Sequence, residues 1–131
     1  MATSATPFLM FEGTAETAAN LSISLFPRSA IRKIERYGAG EDGAEGSIKA
    51  CEFVVAGLPL RCFDSPIKHQ FTFTPSMSLF VDCESEAELD GAFAQLSASG
   101  VVLMPPGNYG FSTKFAWVSD RFGVSWQLNL P

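Results

Sequence analysis

The chain runs through one order of elements twice: a strand, a helix, then three strands. Few folds accommodate that order. Two short segments mark the repeat, FLMFEGTAE near the start and SLFVDCESE past the midpoint. Their identities are sparse. The recurrence of element order over stretches of similar length is the stronger constraint.

In the first stretch, Thr6–Phe11 (TPFLMF) reads as a strand. Gly13-Thr14-Ala15-Glu16 then opens a helix with Thr14 as its N-cap, Ala18, Leu21 and Leu25 as its apolar stripe, and Pro27 as its stop. Ala30–Tyr37 is a second strand. Glycines at 38, 40, 43 and 46, interleaved with Glu41, Asp42 and Glu45, predict a mobile loop. Ser47–Val55 and Leu58–Asp64 flank Ala56-Gly57 and read as a hairpin. A two-residue turn there sets Cys51 opposite Cys62, Glu52 opposite Arg61 and Phe53 opposite Leu60. Pro59 then requires an edge or a non-bonded position.

Ser65–Pro75 lacks periodicity and reads as a link. The second stretch begins with a strand over Ser76–Asp82 and a helix over Ser85–Ser97. Ser85 and Glu88 form a capping box, Leu89, Phe93 and Leu96 form the buried stripe, and Gly100 ends the helix. Val101–Met104, Phe111–Val118 and Val124–Leu130 are three further strands. The expected organisation is therefore one α+β domain, with module one at about 6–64, a linker at about 65–75 and module two at about 76–131.

Composition excludes several classes of function. At 131 residues and 47% hydrophobic content the chain can build a core without staples. No apolar stretch approaches the roughly 20 residues of a membrane span. The start of the chain lacks the basic and apolar regions of a signal peptide. A net charge of −5 without a basic stripe argues against nucleic acid. Cys51, Cys62 and Cys83 are odd in number and fit no zinc spacing, so reduced thiols in a cytoplasmic protein are expected.

Three segments carry a resemblance: TPFLMFEGTAETAANLSISLFP, FTFTPSMSLFVDCESEAELD and, most specifically, DRFGVSWQLNLP. On these the chain resembles the PhnB-like family of the vicinal oxygen chelate (glyoxalase-like) superfamily. The resemblance implies two βαβββ modules whose sheets curl around a cavity with the helices outside, and a homodimer. Family labels of a demethylubiquinone methyltransferase find no support in the residues. No Gly-rich strand-to-helix turn of the kind that holds a methyltransferase cofactor is present.

In such a fold, residues of each strand alternate between helix and cavity. Val124, Trp126, Leu128 and Leu130 form the apolar set of the last strand, which turns Ser125 and Gln127 to the cavity. Ser76 and Ser78 take the cavity side of the middle strand, with Phe80 on the same side. In the hairpin, Cys51, Phe53, Leu60 and Cys62 share the helix side, leaving Glu52 and Arg61 as an inward cross-strand pair. An Arg fork there suits a carboxylate or phosphate ligand. A structural or solvent-exposed ion pair is the other reading.

Metal-dependent members of the superfamily use His, Glu or Gln on the first and last strand of each module. Those positions fall near Thr6, Arg61, Ser76 and Gln127, of which Gln127 alone is a usual ligand. With His69 as the single histidine, a triad of two His and one carboxylate is impossible within one chain. The expected function is a small-molecule-binding module without metal or other cofactor. It would hold a polar or anionic ligand among Glu52, Arg61, Ser76, Ser78, Ser125 and Gln127. The alternatives are a divergent metal-dependent enzyme of lyase, isomerase or dioxygenase type, using Gln127, Glu52 and His69, and an interaction domain with a filled interior.

Other residues carry weaker signals. His69 is a candidate base or a surface residue. Cys51 and Cys62 form a redox pair or two small apolar fillers. Cys83 precedes a helix N-terminus, which can lower a thiol pKa, but a structural role is the expected one. Asp120-Arg121-Phe122-Gly123 is a turn. Trp126 belongs to the core, Trp117 or Phe111 to the cavity mouth, and Pro105–Gly110 to a lid or an ordinary loop with Tyr109 as the contact residue.

Overall fold

A computed structural model describes all 131 residues. The chain forms two compact units, Met1–His69 and Gln70–Pro131, each with one helix on a four-stranded sheet. The architecture is α+β in two similar modules, with neither sheet closed into a barrel. No helix is long and apolar enough to cross a membrane.

The first unit contains β1 (Phe8–Phe11), α1 (Ala15–Ile23), β2 (Ala30–Arg36), β3 (Ile48–Val55) and β4 (Leu58–Asp64), in sheet order β1-β4-β3-β2. The hairpin register is the expected one, with Cys51 on Cys62, Glu52 on Arg61 and Phe53 on Leu60. Its turn has Ala56 at φ 48° and Gly57 at φ 87°. Two positive values match the right-handed twist of the strands, and glycine adopts them at lower cost than alanine. Pro59 fits because Arg61 N–H, on the same side of β4, donates outward to Pro7 O. Pro59 lies beyond the start of β1, so its missing donor deprives no ladder.

Alternation then sorts the first sheet. Ile48, Cys51, Phe53, Val55, Leu60 and Cys62 are buried on the helix side, each at 3% exposure or less. Opposite them lie Phe8, Phe63, Glu52, Val54 and Arg61. Phe8 and Phe63 stack at 5.0 Å.

Thr14 sits at the N-cap of α1, but its hydroxyl caps nothing. Asp64, at the end of β4, does that work instead. Its Oδ1 accepts from the N–H of Gly13 and of Ala15, both at 2.9 Å, and its Oδ2 from Ile48 N–H at 2.9 Å. The helix ends at Ile23, ahead of Pro27, leaving Leu25 outside it and half-buried. The acidic loop expected to be mobile is tied at its base, where Gly46 N–H donates to Tyr37 O and Tyr37 N–H to Ser47 O.

The second unit contains β5 (Ser78–Asp82), α2 (Glu86–Ser97), β6 (Val101–Gly107), β7 (Lys114–Ser119) and β8 (Ser125–Leu130), in order β5-β8-β7-β6. Ser85 caps α2 as expected, accepting from Glu88 N–H at 3.1 Å, while Glu88 accepts from Glu84 N–H. The buried stripe is Leu89, Ala92 and Leu96; Phe93 is only half-buried. The helix ends through Ser99 at φ 57°, and Gly100 is required by crowding, since a Cβ there would lie 2.3 Å from Ser119 O. Trp126, Leu128, Ala116 and Val118 pack under α2 at 0% exposure. Burying each Leu or Val side chain there stabilises by about 1.5–3 kcal/mol.

Several strand boundaries differ from the sequence reading, β1 starting at Phe8 instead of Thr6 among them. Ser76 lies in the turn before β5, because Pro75 and the Met77 N–H to Thr74 O bond close a turn there. The sixth strand runs on through Pro105 and Pro106, which an edge strand tolerates. Phe111–Thr113 stay outside β7, where Ser112 and Thr113 spend their hydroxyls on Lys114 O and Pro131 O.

Candidate functional site

The helix-free face of the second sheet carries a continuous set of polar bonds. Parallel pairing sets Ser78 beside Ser125 and Phe80 beside Gln127, and antiparallel pairing sets Trp117 beside Gln127. Trp117 Nε1–H donates to Ser125 Oγ at 2.9 Å. Ser125 and Ser78 hydroxyls lie 2.7 Å apart, and Gln127 Nε2–H donates to Ser78 Oγ at 3.2 Å. Ser125 is 1% exposed beneath the indole. A buried hydroxyl of this kind keeps its place only when it is hydrogen-bonded. Ser78, Ser125 and Gln127 are thus brought together.

Ser76 is not part of this set. Its hydroxyl bonds Thr74 Oγ1 at 2.7 Å in the preceding turn. Trp117 is the member that sequence reasoning placed only at a cavity mouth. Its signal was the alternation of β7, in which Phe115, Trp117 and Ser119 share one side.

On the open face of the first sheet, Glu52 Oε1 and Arg61 Nη2 lie 3.6 Å apart, with about half of each side chain exposed. An exposed pair of this length is weak, so the guanidinium keeps donors for another acceptor. His69 stands elsewhere in that unit: its Nε2 lies 2.9 Å from Ser65 Oγ and its N–H donates to Glu12. A surface cavity of about 280 Å³ opens between Glu12, Asp64, Ser65 and Lys68 and is lined by none of the six candidates.

The cysteines are free and buried. Desolvation, with the neighbouring thiol beside it, holds Cys62 well above the ordinary thiol range, and Cys51 moves the same way. For Cys83, burial outweighs its place before a helix and pushes it up to about 11. All three are therefore poor nucleophiles. Asp120 is also buried. Desolvation raises its pKa against the pull of Trp126 Nε1–H and of the Phe122 and Val124 N–H groups, all of which it accepts. It holds the β7–β8 turn together.

The metal that the superfamily implies does not fit these residues. No three His, Cys, Asp or Glu side chains gather where they could hold an ion. Of the expected positions, Gln127 is tied to Ser78, Arg61 faces Glu52, and Ser76 is in a turn. A Rossmann-type methyltransferase cofactor fits no better. Around the start of α1 the Gly13 and Ala15 N–H groups are taken by Asp64, and at α2 the Glu88 N–H is taken by Ser85 and the preceding Glu84 N–H by Glu88.

Two βαβββ modules with these faces make the glyoxalase-like fold. Within it, the chain belongs to the PhnB-like family, whose profile is described as 3-demethylubiquinone-9 3-methyltransferase and matches residues 3–129. A PhnB protein of Bacillus cereus carrying the same methyltransferase label is 49% identical, covers 98% of this chain and 99% of its own, and superposes with a TM-score of 0.95. The Pseudomonas aeruginosa protein PA1353 shares the fold at 24% identity and a TM-score of 0.83, with 98% of each chain covered. FosX of Listeria monocytogenes, a fosfomycin resistance protein solved as a point mutant with Mn(II) and dihydroxypropylphosphonic acid, shares the fold at 13% identity and a TM-score of 0.67, covering 100% of this chain and 94% of its own. The comparison with curated proteins returns no match.

Proposed function

We propose that this protein is a cytoplasmic, homodimeric small-molecule-binding module that works without a metal. Its ligand is polar or anionic and sits on an open sheet face. The observation that carries this reading is the bonded set Trp117–Ser125–Ser78–Gln127. It places an amide, two hydroxyls and an indole on a sheet face that no helix of its unit covers. Pockets built for small molecules have this character, a few fixed polar groups in an apolar surround. On the open face of the first sheet, Arg61 by itself offers a positive group that suits an anionic ligand. FosX, with a phosphonic acid bound, is a protein of this fold that holds a small anion.

The test is calorimetric titration of untagged protein with a metabolite panel, alongside Arg61→Ala and Gln127→Leu. The expected result is at least one metabolite bound without added divalent ions and weakened about tenfold by one substitution, the loss of a charged or well-made hydrogen bond. If every hit binds both variants as well as wild type, the assignment fails. Elemental analysis that finds near-stoichiometric metal would overturn the metal-free part. Sedimentation at several concentrations checks the homodimer.

A further inference from the structure

We infer that the open face of the second sheet takes a planar, non-anionic group, an aromatic or conjugated ring bearing an N–H or O–H, laid over Gln127 among Phe80, Trp117, Tyr109 and Phe111. The inference rests on the ligand-binding reading above and assigns its chemistry on this sheet.

Register places Gln127 at the centre, with Phe80 beside it on β5 and Trp117 beside it on β7. Next along the sheet is Phe115, and three exposed aromatics surround it. Phe80 lies 6.3 Å from Phe115, Phe111 5.0 Å from it edge-on, and Tyr109 6.2 Å from it at 89°. Tyr109 and Phe111 stack at 6.4 Å. Phe80, Tyr109 and Phe111 are 55%, 41% and 62% exposed, a contiguous apolar surface left to solvent. Their loop is set in place: Tyr109 O–H donates to Pro105 O at 2.5 Å, and Gly110 N–H to Asn108 Oδ1 at 2.8 Å. A ring arriving there meets aromatic faces that are already positioned, which lowers the ordering cost of binding.

Charge decides the class. Ser78, Phe80, Phe115, Trp117, Ser125 and Gln127 carry none, and the one charge on the face is the carboxylate of Asp82, which accepts from Asn129 Nδ2–H at 2.9 Å in the row beside Phe115. The one base of β7, Lys114, is engaged by Glu86 at 3.1 Å and Asp90 at 2.8 Å. An anion covering this face would lose hydration and meet the Asp82 carboxylate where it needs a counter-charge. A neutral π-system loses little water and gains stacking on the aromatic faces. Because Gln127 Nε2–H points to Ser78, its Oε1 is left as an acceptor, and the ring supplies the donor.

Trp117 gives the readout, since Trp126 is fully buried and bonded to Asp120. The full chain is titrated with benzamide, phenol and indole, and with benzoate and inorganic phosphate, following tryptophan fluorescence. A saturable change with a neutral ring, lost in Trp117→Phe, is expected. Phe111→Ala should weaken it about fivefold and Gln127→Leu about tenfold. Binding of benzoate or phosphate in preference to all three neutral rings would overturn the inference and leave the ligand-binding reading standing. Binding of none of the three would overturn it too, and only an empty metabolite panel as well would remove both. Neutral binding indifferent to Phe111→Ala and Gln127→Leu also overturns it, as does a dimer that Phe111→Asp dissociates. Urea midpoints of the variants, with Phe111 exposed, exclude loss of fold.

Discussion

The two modules share an element order and cap their helices by opposite means. In the second, Ser85 and Glu88 satisfy the first N–H groups from within the same turn, as the sequence motif dictates. In the first, the work is done by Asp64, which reaches Gly13 from 51 residues away along the chain and pins Ile48 with its other oxygen. The local device serves one helix end. The distant one ties α1, β3 and β4 into a unit and carries correspondingly more of the stability.

That contrast can be broken experimentally. Asp64→Ala strands three backbone donors, two of them buried, and should cost about 3–5 kcal/mol, whereas Ser85→Ala should cost about 1 kcal/mol. Equal losses in urea denaturation would abolish the distinction. The open faces differ in the same sense. Ser125→Ala removes a buried acceptor from Trp117 and should cost about 1–3 kcal/mol. A double-mutant cycle on Glu52 and Arg61, both half-exposed, should return at most about 0.5 kcal/mol. In the hairpin, Ala56→Gly relieves a positive φ and should add about 0.5 kcal/mol of stability, read as a higher urea midpoint.

The pH dependence separates a buried acid from a surface one. Asp120 has its pKa raised in the folded state, so its contribution is full below the ordinary carboxylate range and is lost as pH rises through the raised value. Glu16, lowered by its bond with Arg36, contributes above the ordinary range and loses that contribution on acidification. Denaturation followed upward from the ordinary carboxylate range should therefore show a slope that Asp120→Asn removes and Glu16→Gln does not. A salt-sensitive change confined to the acid end belongs to Glu16→Gln and should be the smallest effect here.

Period-two alternation and one two-residue turn made most of this readable in advance. Ala56-Gly57 set the register that faces Glu52 with Arg61, and the apolar run Val124, Trp126, Leu128 turned Ser125 and Gln127 to the other side. What escaped depends on distance through space. Asp64 has no local motif, so Thr14 took its place in the sequence reading. Ser76 shares the parity of Ser78, but Pro75 and the Thr74 turn remove it from the strand. Trp117 belongs with Ser125 only because β7 and β8 pair in a particular register. Cys83 stands before a helix, but its burial decides its chemistry and keeps it a structural thiol.

The three shielded thiols have a practical consequence. Buried and held above their ordinary pKa, they leave the native chain nearly silent to maleimide and iodoacetamide chemistry at neutral pH. A cysteine introduced at an exposed position such as Tyr109 or Leu58 would then be the dominant labelled site without any native cysteine being removed. A dye, spin label or surface tether could thus be attached at one chosen point in either module, with the wild-type chain serving as its own blank.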